Sequence, residues 1–231
     1  FISRSLRGGT APVHLAPERM ESGRRAGLTG AVSAADPGAG DCVDLYWIPL
    51  GSGRGIGPRL VRLGGRSYAA VQRARGLAAG PVFHAALVVR ADAVTRSVEM
   101  APAWGRGARG RDVVGTGPVG MRFLGRSAMF RYEIRCSAGT VIPDLADAVD
   151  SPVEIATGVD AARRVLLAVE SVPRPTWGRD ELATGQMWNS NSLVAWALSR
   201  AGVDLTTVRP PAGGIAPGWE AGVRVAARQS S

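Results

Sequence analysis

The clearest pattern of hydrophobic and polar positions lies between residues 186 and 202. Small polar residues come first, and apolar residues then recur every three or four positions, at Leu193, Val194, Ala197, Leu198 and Ala201. This spacing predicts a helix with one face in a core. Asn and Ser side chains accept hydrogen bonds from the free N–H groups of a first helical turn, and glycine commonly ends a helix. We therefore expect the polar residues to cap the start of this helix and Gly202 to end it.

Two apolar runs further upstream, residues 83–89 and 94–101, alternate as neighbouring antiparallel strands. With a connecting loop of two residues, Ala91 and Asp92, or of four, His84 lies directly opposite Glu99, and the other face of the pair is wholly apolar. A loop of three residues would instead turn Glu99 to the other face. The pattern thus favours a histidine beside a carboxylate.

The other predicted elements are short, and residues 101–120, rich in Gly and Arg, are predicted to form a long loop. Further strands are expected over residues 44–50, 60–63, 129–136 and 223–226, and further helices over residues 67–77 and from Asp160 to the residues before Pro173. Strands followed by helices leave little room for parallel βαβ units. We predict an α+β fold, with a small antiparallel sheet packed on helices. Residues 1–40 are predicted to be an irregular arm, and residues 41–231 a single domain.

The composition of the chain disfavours two classes of protein, those that bind nucleic acid and those that span a membrane. The chain has 231 residues, a net charge of +9 and 45% hydrophobic residues, and all of its basic residues are arginines. Aromatic residues make up only 6% and are not interleaved with basic clusters, which disfavours nucleic-acid binding. No apolar run approaches the roughly 20 residues needed to span a membrane. The chain begins with Phe, so we expect that the natural N-terminus is missing; the location stays open, with the cytoplasm favoured.

Cofactor and metal chemistry have no signature in the sequence. The two cysteines, Cys42 and Cys136, are far apart and provide neither a metal motif nor a disulfide framework. The glycines of residues 51–57 lack the Gly-Lys-Ser/Thr ending of a phosphate-binding loop. We expect no cofactor and no metal.

A strand histidine, an acid on the next strand and a small hydroxyl residue at a later helix start occur here in a recognisable order. This order resembles the circularly permuted papain-like fold of the NlpC/P60 superfamily, including its lecithin retinol acyltransferase-like and YiiX-like groups. The helix motif of those groups reads Asn-Cys-x-x-Phe-Val, and the matching stretch here is Asn189-Ser190-Asn191-Ser192-Leu193-Val194. The stretch around Met187–Ser192, with Trp47-Ile48-Pro49, is also similar to an actinobacterial set that has no assigned activity.

The resemblance implies that Ser190 is the nucleophile, His84 the base and Glu99 the residue that orients the imidazole. Serine stands where the family has cysteine, and a hydroxyl needs far more help from its base than a thiol does. In one hypothesis the protein is a hydrolase or acyltransferase acting on an amide, thioester or ester of a small molecule, peptide or lipid-type acyl compound. In a second it is a degenerate binding module, with a polar network or ligand site that also includes Asn189, Asn191, Trp188 and Ser192. A third hypothesis, a basic nucleic-acid-binding protein, rests on the net charge alone.

Overall fold

A computed structural model describes residues 40–50, 80–103, 112–139 and 142–230 of the chain. The strand expected over residues 60–63, the helix expected over residues 67–77 and, apart from Gly40, the N-terminal arm lie outside these residues. The described part contains one antiparallel sheet with three α-helices, so the predicted α+β class is confirmed.

Six strands form the sheet, in the order β4-β5-β3-β2-β1-β6, and every neighbouring pair is antiparallel. Two of these strands were not expected: β4 lies within the predicted loop over residues 101–120, and β6 precedes the helix that begins near Asp160. The strands are β1 (Cys42–Pro49), β2 (Phe83–Ala91), β3 (Val94–Pro102), β4 (Val113–Pro118), β5 (Arg131–Ala138) and β6 (Val153–Thr157).

The α-helices are α1 (Val159–Glu170), α2 (Ser190–Arg200) and α3 (Trp219–Arg228). Helix α2 is the one that the periodic pattern predicts, and Gly202 follows it with a left-handed φ of 79°. The strand predicted over residues 223–226 is wrong, because these residues lie in α3. The short run Val-Arg-Val-Ala alternates, but Val225 and Ala226 belong to a helical stripe that is buried against α2.

The two faces of the sheet differ in what covers them. The three α-helices pack on the face that carries Leu45, Leu87, Val98 and Ile134, and this layer contains the main core. A smaller cluster, which includes Ile48, Ala86, Val88 and Leu145, occupies the other face under the short 3-10 helix Pro143–Asp147. The main core therefore lies between the sheet and the helices.

The turn between β2 and β3 decides their register. Asp92 and Ala93 have φ angles of 54° and 60°, as a two-residue hairpin turn with left-handed central residues requires. Ala91 consequently pairs with Val94 and Leu87 with Val98. The loop is thus centred one residue later than expected, and the expectation that His84 lies directly opposite Glu99 is wrong. The pairing register therefore shifts by two residues, an even number, so each residue of both strands stays on its predicted face.

Candidate functional site

The N-terminus of α2 is held by a reciprocal cap. Asn189 is the N-cap residue, and its Oδ1 accepts from the backbone N–H groups of Asn191 at 2.9 Å and Ser192 at 3.3 Å. The Ser192 hydroxyl accepts in return from the backbone N–H of Asn189 at 3.1 Å. This pattern is a capping box, which satisfies N–H groups that have no partner within a helix. The predicted capping role of the polar residues is confirmed.

The same side chains join α2 to the start of α3. The Nδ2 atoms of Asn189 and Asn191 both donate to the carbonyl of Pro217, each at 2.8 Å. The Ser192 hydroxyl donates to the carbonyl of Gly218 at 2.7 Å. The side chains of Asn189, Asn191 and Ser192 are therefore bonded within the protein, and we infer that they stabilise this junction.

Asn191 also binds the part of the β2 edge that β3 leaves unpaired. Its Oδ1 accepts from the backbone N–H of Ala85 at 2.7 Å, and its Nδ2 donates to the carbonyl of Phe83 at 3.0 Å. The β2–β3 pairing extends only as far as Leu87 and Val98, so β3 does not pair with these two groups. The side-chain amide of Asn191 takes the place of a strand amide there, and it fixes α2 to the backbone on both sides of His84.

Ser190, the predicted nucleophile, lies in the first turn of α2 and is 6% exposed. Within the described residues its hydroxyl has no hydrogen-bond partner, in contrast to the side chains of Asn189, Asn191 and Ser192. Trp188 precedes the cap and is buried, and its indole N–H has no hydrogen-bond partner among the described residues. Ser190 is thus the one polar residue of this turn that the local structure does not use.

His84 lies on the face of the sheet away from the α-helices. It is half-buried and pairs with Ile48 of β1, and residues directly opposite one another share a face. Ile48 belongs to the cluster on the far side of the sheet from α2. Burial lowers the pKa of His84 to about 4, so the imidazole is neutral at pH 7. No hydrogen bond joins it to another described residue.

Glu99 shares the His84 face but is engaged elsewhere. It pairs with Arg135 of β5, and one of its carboxylate oxygens lies 3.9 Å from the Arg135 guanidinium. Burial raises the pKa of the Glu99 carboxyl, an effect that Arg135 opposes and Asp144 reinforces. The structure therefore places α2 against the strand that carries His84, but it forms no hydrogen bond among Ser190, His84 and Glu99.

Sequence reasoning missed the partners of the α2 N-terminus. The carbonyls of Pro217 and Gly218 and the side chain of Gln186, whose Oε1 accepts from the Gly218 N–H at 2.9 Å, complete the junction. Backbone carbonyls leave no signature in a sequence. The left-handed φ of 85° at Gly218 is the one feature that a sequence could suggest, through the glycine immediately before the apolar start of α3.

A cluster of Cys42, Asp44 and Glu154 is the one described group whose ligand atoms lie close enough together to hold a metal ion, within 4.8 Å of one another. The Arg90 guanidinium donates to the Cys42 sulfur at 2.5 Å and pairs with Asp44 at 3.0 Å. Burial, as the main cause, raises the pKa of the Cys42 thiol. Because Arg90 already supplies the positive charge beside these side chains, we assign the cluster a structural role.

Lowering the pH from about 7 to about 4 is expected to destabilise the protein through His84 by about 3 kcal/mol. The unfolded imidazole takes up a proton near its ordinary pKa of 6.5, whereas the folded one does so near 4. Between these values the unfolded state binds more protons, so the free energy of unfolding falls as the pH falls. Urea unfolding at several pH values measures this slope.

The matched control for this slope is His84→Gln, which cannot titrate. Glu99 and Asp144 have raised pKa values and act in the opposite sense, but they are present in both proteins. The difference between the two pH profiles therefore gives the contribution of His84 to the pH dependence of the free energy of unfolding. Parallel profiles would show that its imidazole is not held neutral by the fold.

Comparison of the chain with protein-family models, with curated proteins and with solved structures finds no match. None of the described helices is long and apolar enough to cross a lipid bilayer. Function must therefore be argued from the residues of the site itself.

Proposed function

We propose that the chain is a catalytically degenerate papain-like binding module. The observation that carries this proposal is the position of His84 on the sheet face opposite the one that α2 covers. A general base must come within about 3.2 Å of the hydroxyl it deprotonates, or reach it through one water. The order of the strand histidine, the strand acid and the capped helix supports the papain-like assignment.

Burial of the α2 N-terminus supports the loss of catalysis. Asn191 and Ser192 are almost completely buried and their side chains bond to the protein's own backbone, so neither is free to contact a substrate. Two clefts on the described surface, of about 310 and 260 Å³, are lined in part by Arg174 and by Trp47, respectively. Neither includes Ser190, His84 or Glu99. The ligand class stays that of the resemblance: a small molecule, a peptide or a lipid-type acyl compound.

A hydrolase or acyltransferase that uses Ser190, His84 and Glu99 is the second candidate. One observation favours it: Asn191, next to Ser190, bonds to the two backbone groups that flank His84. These bonds hold the first turn of α2, which contains Ser190, next to the part of β2 that carries His84. Because His84 is neutral at pH 7, it could accept the proton.

Ser190→Cys distinguishes the two candidates. In a degenerate site the N-terminus of α2 still favours a thiolate at this position, but the pKa of the introduced thiol should not depend on His84. We expect iodoacetamide to alkylate this thiol at pH 7 at the same rate in Ser190→Cys and in Ser190→Cys/His84→Gln, with each site resolved by peptide mass spectrometry. The native Cys42 and Cys136 provide the internal controls.

A thiol pKa that rises when His84→Gln is added to this variant would contradict the binding-module proposal, because it would show that the imidazole stabilises the thiolate. The same holds for fluorophosphonate labelling of the unmodified protein that disappears in Ser190→Ala. Either result would establish a working base and support the hydrolase. Ser190→Ala should leave the circular dichroism spectrum unchanged, which separates loss of labelling from loss of structure.

A further inference from the structure

Large apolar side chains are exposed together between residues 121 and 130, which we call the apolar segment. Met121, Phe123, Met129 and Phe130 are 46%, 66%, 67% and 38% exposed. These are half of the large hydrophobic residues found exposed in the described chain. Scattered exposed apolar residues need no explanation, whereas a contiguous set marks a site of interaction.

Folding does not account for the apolar character of this segment. It consists of the two 3-10 helices Arg122–Arg126 and Ala128–Phe130, and neither has a buried residue. Its base is nevertheless fixed, because the N–H of Val119 donates to the carbonyl of Phe130 at 2.8 Å and the N–H of Gly120 to that of Trp177 at 3.0 Å. The segment is thus anchored to the domain while its large side chains remain in water.

The charge of the apolar segment is wholly positive. Arg122 and Arg126 are exposed, and residues 121–130 contain no acidic residue. Glu181 lies 3.9 Å from Arg122, but its carboxylate is bonded by the backbone and hydroxyl of Thr176 at 2.9 and 2.7 Å. An apolar surface with cations at its edge complements a surface that is apolar inside and anionic outside.

We propose that the apolar segment docks on an anionic lipid surface. Phe123 and Met129 enter the boundary between headgroups and acyl chains, and Arg122 and Arg126 remain at the phosphates. Single-stranded nucleic acid fits less well, because bases stack on flat rings and two of the four exposed side chains are methionines. A symmetric dimer fits less well too, since it would place the same arginines close to one another. The proposal uses no residue of the α2 site.

The test is co-sedimentation of the full chain with vesicles of phosphatidylcholine, alone or mixed with phosphatidylglycerol. We expect binding to the anionic vesicles that weakens about ten-fold or more in the double variant Phe123→Ala/Met129→Ala. Leu167→Ala is the matched control, because Leu167 of α1 is equally exposed, at 65%, and lies outside the segment. This control should bind as the unmodified protein does. Circular dichroism checks that all variants fold.

Removing the arginines tests the electrostatic part of the docking. Arg122→Gln and Arg126→Gln should each weaken binding to the anionic vesicles about five-fold and reduce its dependence on salt. Absence of vesicle binding by the unmodified protein, or equal binding by the double variant, would overturn the proposal. So would a dimer in light scattering that the double variant dissociates, or single-stranded DNA binding that it abolishes while vesicle binding persists.

Discussion

Replacing Asn191 by alanine is expected to lower the free energy of unfolding by about 4 kcal/mol. The side chain makes three buried or partly buried hydrogen bonds, to Ala85, Phe83 and Pro217, at 2.7 to 3.0 Å. Its removal leaves the Ala85 N–H and the Phe83 carbonyl without this partner, whereas the Pro217 carbonyl still accepts from Asn189, and each buried polar group that loses its bond costs about 1–3 kcal/mol. Asn191 also joins three elements, β2, α2 and the start of α3, so the loss weakens two interfaces at once.

Urea unfolding followed by circular dichroism measures this change, and Ser190→Ala is its control. Ser190 is the neighbouring buried residue of the same helical turn, but its hydroxyl has no partner in the described residues, so its truncation should change stability by about 0.5 kcal/mol or less. If Asn191→Ala were no more destabilising than this control, the amide would not be holding the sheet edge.

Helix α2 and the apolar face of β2 and β3 could be predicted because their signals lie within a few neighbouring residues. Helix α2 is specified by its apolar spacing, by Asn189 and Ser192 at the cap, and by Gly202 at the end, and all of these act within a few residues. The apolar face of β2 and β3 was likewise predicted, since alternation survives an even shift of register. The register itself was not, because alanine is an unusual residue for the left-handed second position of the turn.

The strands at the two edges of the sheet were missed for a different reason. Strand β4 has the sequence VVGTGP, and its glycines indicate a loop. A Cβ at Gly117 would lie 2.4 Å from the ring of Tyr132, so this glycine is required by close packing rather than by a turn. Strand β6 is largely exposed and pairs with β1 alone. Both depend on partners distant in sequence.

The face of the sheet on which His84 lies follows from the alternation of residues along β2. The apolar stripe of α2 packs against an apolar sheet face, and His84 alternates onto the other face. The alternation that predicted His84 on the same face as Glu99 therefore also directs its side chain away from α2. The use of Asn191 as a substitute for a strand amide had no local signal, because it requires β3 to end its pairing at Leu87.

Gly222 of α3 is expected to tolerate no side chain, and Gly222→Ala should lower the free energy of unfolding by about 3 kcal/mol. A Cβ at this position would lie 2.2 Å from the carbonyl oxygen of Ser192 and 2.8 Å from the backbone nitrogen of Trp196. Both are backbone atoms of α2, which cannot move aside as a flexible side chain can. The gain in helix propensity, about 1 kcal/mol, is smaller than this cost.

Thermal unfolding measures the effect, as a fall in Tm of about 6–10 °C. Gly222→Val should lower the Tm further, because its larger side chain must separate the two helices more. Glu220→Ala is the control on the same helix: it is exposed, gains helix propensity and should change stability by about 0.5 kcal/mol or less. An unchanged or higher Tm in Gly222→Ala would mean that α2 and α3 do not approach as closely as the structure has them. The junction that buries Asn191 and Ser192 would then be looser, since these side chains bond to Pro217 and Gly218 at the start of α3.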